Sequence, residues 1–317
     1  MKTSPVVANR TWRIAAMITT ALLLLSLSGC ATFRPPVPVS NEPQYLANAS
    51  LVNRPRLALV LSGGNLRGFA HIGVIKVLEE NGIRPDIVVG SSAGAIIGAL
   101  YASGLSGEAL EEVSRRMDRS LASDVTMPSL GIPWLSGELG VVRGEALQNF
   151  VNTEVKQRAM ESFPMRFAAV ATDLNSGKAM TFNVGNAGLA ARASSSIPGM
   201  FTPPLIRGHR YIDGQLSGPV PVSAALELGA EIVIAVDVTY PSEHAEITTP
   251  IGVMFQALQI CTQHLKASEL ELAHLVIRPD IRPANQLSLS DREDLIRLGE
   301  QAARDNLDAL RTLTARR

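Results

Sequence analysis

The sequence has little cysteine, few aromatic residues and no excess of charge of either sign. Only 2 of its 317 residues are cysteine, 4% are aromatic, and 29 Lys and Arg balance 29 Asp and Glu. Two cysteines cannot supply a disulfide framework in place of a hydrophobic core. A net charge of zero without a Lys/Arg-rich run argues against nucleic acid as a partner. The 46% of hydrophobic residues indicates a globular protein, and the length permits one domain of about 250 residues.

An apolar run near the N-terminus, Ile14 to Leu27, follows three basic residues. It is shorter than the roughly 20 residues of a membrane-spanning helix, and its basic flank is typical of an export signal. The run ends in Leu27-Ser28-Gly29-Cys30, which resembles the lipobox of bacterial lipoproteins, whose cysteine is lipidated. We therefore expect residues 1–29 to be a lipoprotein signal peptide and Cys30 to carry a lipid that anchors the chain to a membrane. An ordinary signal with a chance cysteine is the alternative.

The residue after Cys30 is Ala31 rather than Asp, which by resemblance to lipoprotein sorting in Gram-negative bacteria implies the outer membrane, facing the periplasm. Residues 30–55 are rich in proline and polar residues and predict a flexible tether. The folded domain is expected at 56–317, with a core at 56–238 and a helical C-terminal extension at 239–317. Cys261 is expected to be a small buried residue. The sequence carries no signature of an oligomeric state.

Strands and helices alternate in the first half of this domain. The apolar run 56–61 predicts a strand buried on both faces, 69–80 shows helical spacing, and a strand at 87–89 leads into a helix at 93–102. This order predicts parallel strands and an α/β fold, a three-layer α/β/α arrangement around a mainly parallel sheet. The sequence also predicts strands at 167–172, 179–183, 231–238 and 275–278, helices at 145–156, 222–228, 252–272 and 291–313, and a flap or entrance loop at 121–142.

A nucleophile motif lies between the second strand and its helix. Gly90-Ser91-Ser92-Ala93-Gly94 fits G-x-S-x-G in the strand-to-helix context that the motif requires. The flanking glycines leave room for a tight turn, and Ser92 would lie at a helix N-terminus, which favours developing negative charge. Ser91 has the wrong spacing to the glycines. A packing turn of small residues is the non-catalytic interpretation.

A glycine-rich loop, Ser62-Gly63-Gly64-Asn65-Leu66-Arg67-Gly68, follows the first strand. Its backbone N–H groups can approach an anion closely, as in an oxyanion hole or a phosphate cradle. The glycine spacing does not give G-x-G-x-x-G, and the Lys-Ser/Thr end of a P-loop is missing. We therefore interpret the loop as an oxyanion hole.

A third element is Asp213-Gly214, a pair that by itself is typical of a turn. Together with the two glycine motifs and with Ala193-Ser194-Ser195-Ser196-Ile197-Pro198-Gly199-Met200-Phe201, it resembles the patatin-like phospholipase family over residues 56–238. The resemblance implies a Ser92–Asp213 catalytic dyad, an oxyanion hole formed by Gly63, Gly64, Asn65, Arg67 and Gly68, and Gly90, Gly94 and Gly214 as motif residues. Arg67 would help to hold the loop, and neither metal nor cofactor is implied.

The implied activity is hydrolysis of acyl esters of glycerophospholipids or related lipids. Ser92 would attack the ester while Asp213 accepts its proton, so partial burial is expected to raise the pKa of Asp213. The chain departs from the family at Ser62 and Asn65, where glycine is typical, and at Gln215, where Gly or Ala is common. These departures keep open a second interpretation, a catalytically silent lipid-binding or scaffolding lipoprotein of the same fold.

A Ser-His-Asp triad with His264 or His274 as base is the competing enzyme interpretation. The early position of Ser92, after only the second strand, argues against an α/β-hydrolase order. His71 is expected to be structural, and Asp173 to cap a turn. The stretch 194–198 is expected to shape a helix end near the nucleophile, and Asp237 could be structural or functional.

Overall fold

The chain builds its central sheet from short apolar runs. The computed structural model describes residues 41–46, 57–121, 139–239, 248, 250–281 and 289–315, all within one compact unit, Asn41–Arg317. The strands within these residues are β1 (Leu57–Leu61), β2 (Ile87–Ser91), β3 (Gly140–Val142), β4 (Arg166–Asp173), β5 (Ala179–Phe182), β6 (Gly199–Phe201), β7 (Leu205–Ile206), β8 (His209–Ile212), β9 (Ile232–Val236) and β10 (Leu275–Ile277). The α-helices are α1 (Phe69–Glu80), α2 (Ala93–Ala102), α3 (Gly107–Leu121), α4 (Glu145–Glu154), α5 (Ala187–Ser194), α6 (Val222–Glu227), α7 (Pro250–Glu271), α8 (Arg292–Asp305) and α9 (Leu307–Thr314).

The main sheet has the strand order β10-β9-β1-β2-β4-β8-β7, and β5 also pairs with β4. The pairs from β10 to β4 are parallel, whereas β5, β7 and β8 are joined antiparallel. The short strands β3 and β6 form a separate parallel pair. This topology confirms the predicted α/β fold with a mainly parallel central sheet, and it brings the C-terminal ends of β1, β2 and β9 to one edge.

The sheet is buried on both faces because successive side chains of a strand point to opposite sides. In β1, Leu57, Leu59 and Leu61 pack into the larger core, which is completed by helices α1 to α5, α8 and α9. The alternate residues Ala58 and Val60 pack into a second core with α6 and the end of α7. The result is the predicted three-layer α/β/α arrangement.

The C-terminal region is an integral part of this fold. Strand β10 adds to the sheet edge beside β9. Helix α8 lies so close to α1 that a Cβ at Gly73 would be 1.9 Å from the Ile296 carbonyl oxygen. The extension is therefore not purely helical, and the predicted helix 291–313 is divided at Asn306 into α8 and α9.

Several features differ from the sequence-based expectations. Residues 41–46, placed within the flexible tether, instead contact the domain: Gln44 bridges to Val184, and Leu46 exchanges hydrogen bonds with the Asn183 side chain. Cys261 is exposed, not buried, because it lies on the outer face of α7. Helices α3 and α5 and strands β6 to β8 were not predicted.

The signal peptide, Cys30 and residues 122–138 of the predicted flap lie outside the described residues. The end of the flap is strand β3. In the part of the chain that is described, no helix has the length and apolar character needed to cross a membrane.

Candidate active site

Ser92 occupies a sharp turn between β2 and α2. Its backbone has φ 51° and ψ −122°, a left-handed conformation that a residue other than glycine seldom adopts. Such strain is characteristic of functional positions, where surrounding contacts impose it. Its side chain is thereby placed at the N-terminus of α2, with only 5% of the residue exposed.

Gly90 and Gly94, the two glycines that flank Ser92, are required because other backbone atoms lie too close to leave room for a side chain. A Cβ at Gly90 would lie 2.3 Å from the Gly94 carbonyl oxygen. A Cβ at Gly94 would lie 2.2 Å from the carbonyl oxygen of Leu61, at the end of β1. The G-x-S-x-G pattern thus has a steric cause, since helix α2 begins directly against strand β1.

Asp213 follows β8 and faces Ser92. The Ser92 hydroxyl donates to Asp213 Oδ2 at 2.8 Å, and the Gln215 N–H donates to Oδ1 at 2.9 Å. The Thr172 hydroxyl donates to the Asp213 carbonyl oxygen at 2.8 Å. Gly214 is needed next to it, because a Cβ there would lie 2.1 Å from the Val170 carbonyl oxygen. The fold therefore brings together two residues that are 121 positions apart.

The Asp213 carboxyl is 3% exposed. Burial raises its pKa to about 6, and the hydrogen bonds from Gln215 and Ser92 only partly oppose this effect. A carboxylate with this pKa is ionised at neutral pH and is a stronger base than a free aspartate. The direction agrees with the expectation from the sequence.

The serine-rich stretch supports the turn. The Ser92 N–H donates to Ser194 Oγ at 2.9 Å, and the Ser194 hydroxyl donates to the Val170 carbonyl oxygen at 2.5 Å. The Asp213 N–H donates to the Ser196 carbonyl oxygen at 2.9 Å. These residues position both members of the pair, as predicted for a helix end near the nucleophile.

The glycine-rich loop lies beside Ser92 and forms a short 3-10 helix from Asn65 to Gly68. The Gly63 N–H donates to the Pro219 carbonyl oxygen at 3.1 Å and the Arg67 N–H to that of Gly64 at 3.2 Å. Both are engaged, which corrects their assignment as oxyanion donors. Within the described residues no hydrogen bond is found for the N–H groups of Gly64 and Asn65.

The loop's departures from the family pattern have identifiable contacts. Asn65 has φ 56°, so it takes the left-handed conformation in which asparagine is tolerated better than most residues. Ser62 Oγ accepts from the Val238 N–H at 2.9 Å and donates to the Gly63 carbonyl oxygen at 3.0 Å. The Gln215 side chain covers Gly63, where a Cβ would lie 2.3 Å from its Cγ.

The remaining loop residues pack around the nucleophile. Gly68 lies against Ala93, since a Cβ at Gly68 would be 2.6 Å from the Ala93 Cβ. The Arg67 guanidinium is largely buried, which lowers its pKa, and the Asp237 carboxylate attracts it. This placement agrees with a supporting function for Arg67 in the loop.

An apolar cavity opens at Ser92. Its lining includes the loop residue Asn65 and side chains from four helices and the serine-rich stretch, mainly Leu66, Phe69, Ile96, Ile97, Met117, Leu147, Ile197 and Phe201. The sequence motifs did not identify Met117 and Leu147. Leu110, Val113 and Met117 have helical spacing, which was the available signal for α3.

The histidines proposed for a triad do not contact this site. His274 Nδ1 accepts from the Val233 N–H, near the N-terminal end of β9, whereas Ser92 follows the C-terminal end of β2. His264 is exposed on α7. His71 is fully buried, with Nε2 2.9 Å from the Ser62 carbonyl oxygen, and burial lowers its pKa to about 4. The Ser92 hydroxyl donates its hydrogen bond directly to the Asp213 carboxylate, so no histidine lies between these two side chains.

Two other aspartates are structural. Asp173 accepts from the Ser176 N–H and contacts His209, and these hydrogen bonds hold its pKa below the usual value. Asp237 Oδ2 accepts from Lys266 Nζ at 3.1 Å and Arg278 Nε at 3.4 Å. Neither contacts the Ser92–Asp213 pair.

Sequence comparisons cover all four motifs. The family model described as Patatin-like phospholipase matches residues 59–226. An uncharacterized NTE family protein of Mycobacterium tuberculosis is 37% identical over 182 residues, covering 57% of this chain and 49% of that protein. Patatin-like phospholipase domain-containing protein 6 of Homo sapiens is 34% identical over 185 residues, covering 57% of this chain and 13% of that protein. The chain thus spans about half the length of the mycobacterial relative.

Two solved structures are similar to the described fold. VipD from Legionella pneumophila gives a TM-score of 0.44 at 13% identity, covering 81% of this chain and 67% of that chain. A chain of the SpcU–ExoU complex from the type III secretion system of Pseudomonas aeruginosa gives 0.44 at 18% identity, covering 81% and 53%.

Proposed function

The chain belongs to the patatin-like phospholipase family, and from this we propose that it is a serine hydrolase that cleaves carboxylic ester bonds of phospholipids or related lipids. One observation carries the proposal: the Ser92 hydroxyl, held in a strained turn at an apolar cavity, donates to the buried Asp213 carboxylate at 2.8 Å. A nucleophile within hydrogen-bonding distance of its base is the arrangement that acyl transfer needs.

In the proposed acylation step, Ser92 Oγ forms a bond to the ester carbonyl carbon as its proton passes to Asp213 Oδ2. The resulting tetrahedral intermediate carries a negative charge on the former carbonyl oxygen. When it collapses, the bond from carbon to the alcohol oxygen breaks, and Asp213 returns the proton to that oxygen. The raised pKa of Asp213 serves both transfers, because the group is ionised before attack and readily gives up the proton afterwards.

The N–H groups of Gly64 and Asn65 are the proposed oxyanion donors. They lie in the loop beside Ser92, and neither has a partner among the described residues. The N-terminus of α2 adds a favourable field for the same charge. Removal of one such donor typically costs about 2.7–4 kcal/mol of transition-state stabilisation.

The acyl chain would lie in the apolar cavity at Ser92. Its lining of leucine, isoleucine, methionine and phenylalanine side chains removes hydrocarbon from water, which favours lipid acyl groups over short polar acids. A water molecule would then form a bond to the acyl carbon as its proton passes to Asp213. The bond from that carbon to Ser92 Oγ breaks, Asp213 returns the proton to Ser92 Oγ, and the fatty acid leaves.

The test is hydrolysis of p-nitrophenyl palmitate and of a labelled phospholipid by the full chain in nonionic micelles, beside Ser92→Ala, Asp213→Asn and the matched control Ser91→Ala. We expect the first two variants to lose activity by at least about 10³-fold, and Ser91→Ala to retain it, because Ser91 is also buried, whereas the hydroxyl that donates to Asp213 is that of Ser92. A fluorophosphonate probe should label Ser92. A folded wild type that neither reacts with the probe nor hydrolyses any ester would favour the silent lipid-binding interpretation instead.

We also propose that Cys30 is lipidated and anchors the chain in the bacterial envelope, at the outer membrane facing the periplasm. The support is the sequence Leu27-Ser28-Gly29-Cys30-Ala31. Metabolic labelling with an alkyne-bearing palmitate should mark the wild type and not Cys30→Ala, with Cys261→Ala as the matched control. Equal labelling of Cys30→Ala and wild type would contradict the proposal that Cys30 is lipidated.

A further inference from the structure

A second cavity lies on the other side of the Ser92–Asp213 pair. Its polar lining residues are Asp213 itself, Asn65, Gln215, Gln259 and Thr262, and the rest of the lining is apolar. Helix α7 contributes Gln259 and Thr262, although α7 lies beyond the residues that match the family model. The cavity is therefore formed partly by a region outside the family match.

The polar lining of this cavity is uncharged except for Asp213. Three side-chain amides and one hydroxyl face it, and no Lys, Arg or His is found among its described lining residues. Gln259 Oε1 is buried without a hydrogen-bond partner in the described structure. A buried polar atom left unpaired is unfavourable, so this amide is suited to bind a hydroxyl group of a ligand.

Three cationic side chains are associated with a different carboxylate, that of Asp237. Lys266 and Arg278 both contact Asp237, and the same carboxylate attracts Arg67. None of these three side chains is part of the described lining of either cavity. Among the described lining residues a phosphate in the second cavity would therefore meet the Asp213 carboxylate and no cation, and juxtaposed like charges are strongly unfavourable.

We propose that this second cavity holds the leaving alcohol and selects uncharged, hydroxyl-bearing alcohols, such as the glycerol of a neutral acylglycerol, over alcohols that carry phosphate. The inference rests on the proposed function. The alcohol oxygen receives its proton from Asp213, so the alcohol must lie on the side that Asp213 lines, while the acyl chain occupies the apolar cavity at Ser92. The acyl carbon–oxygen bond is the only bond to the alcohol that breaks.

The experiment compares 1-palmitoylglycerol with 1-palmitoylglycerol 3-phosphate, using the full chain in nonionic micelles. The acyl chain and the bond to be cleaved are the same, so kcat/KM reports the alcohol alone. We expect kcat/KM to be at least about tenfold higher for the neutral ester. Gln259→Leu should lower kcat/KM for 1-palmitoylglycerol by about threefold to tenfold, the effect of one hydrogen bond.

A charge variant provides the matched control. Gln259→Lys should reduce the preference for the neutral ester, because it places a cation in the cavity, whereas Ala257→Lys adds the same charge to an exposed position of α7 and should not. Equal or faster hydrolysis of the phosphate ester by the wild type would overturn the inference while leaving the proposed function intact. If the wild type neither hydrolysed p-nitrophenyl palmitate nor reacted with the fluorophosphonate probe at Ser92, the result would contradict both the proposed function and this inference.

Discussion

Replacing Asp213 by asparagine should stabilise the fold while it abolishes activity. The carboxyl is buried beside the Ser92 hydroxyl and the Gln215 N–H, and burial raises its pKa to about 6. Asparagine has nearly the same shape, can still accept from the Gln215 N–H, and can donate to Ser92 Oγ. The variant therefore removes a buried charge without removing the packing.

The magnitude follows from proton linkage. The Asp213 carboxyl has a pKa of 3.8 as its ordinary value and about 6 in the fold. Between these values the folded state holds a proton that the unfolded chain has lost, so stability falls as pH rises through this window. At about 1.4 kcal/mol per pH unit, the cost is about 3 kcal/mol above pH 6, about half of that at pH 5 and close to zero below pH 3.8.

Urea unfolding of wild type and Asp213→Asn at pH 8, 6 and 5 measures this difference. We expect the variant to be more stable by about 1–3 kcal/mol at pH 8, with a smaller gain at pH 5. Asp173→Asn is a control of opposite sign, since hydrogen bonds from Ser176 hold the pKa of Asp173 below its usual value, and this variant should lose stability at pH 8. A gain that did not change with pH, or no gain at pH 8, would refute the reasoning.

Three further variants test the site. Leu147→Phe should fill part of the apolar cavity and lower kcat/KM for p-nitrophenyl palmitate relative to p-nitrophenyl butyrate. An unchanged dependence of kcat/KM on chain length would show that Leu147 does not contact the acyl chain. Gly94→Ala should lower the free energy of unfolding by about 3 kcal/mol or more, because the new Cβ would overlap backbone atoms. Gly98→Ala in the same helix meets only side chains and should change the free energy of unfolding by less than about 1 kcal/mol. Similar values for the two variants would contradict the steric account. Ser62→Ala should lower kcat several-fold with little change in KM, because the glycine-rich loop loses the hydrogen bond from the Val238 N–H, after β9. A change in KM with kcat unaffected would count against a positioning function of Ser62.

The local features of the fold could be predicted because they depend on neighbouring residues. Strand β1 and helices α1 and α2 follow directly from apolar runs and helical spacing. Helix α5 and strands β6 to β8 could not be predicted in this way, since strands of two to four residues depend on partners supplied by the tertiary fold. Helix α3 does have a local signal, the amphipathic spacing of Leu110, Val113 and Met117.

By itself, the sequence predicted Ser92 as the nucleophile, because a strand, a glycine-flanked serine and a helix are contiguous and their steric requirements are local. Only the tertiary structure decided that the Ser92 hydroxyl meets the Asp213 carboxylate and that burial raises the Asp213 pKa. It also decided that the Gly63 N–H donates to Pro219, while the N–H groups of Gly64 and Asn65 have no partner among the described residues. It also placed α7 beside Asp213, where Gln259 lines a cavity that no motif contains. These properties arise from contacts between distant segments, and such contacts leave no periodic signal in the chain.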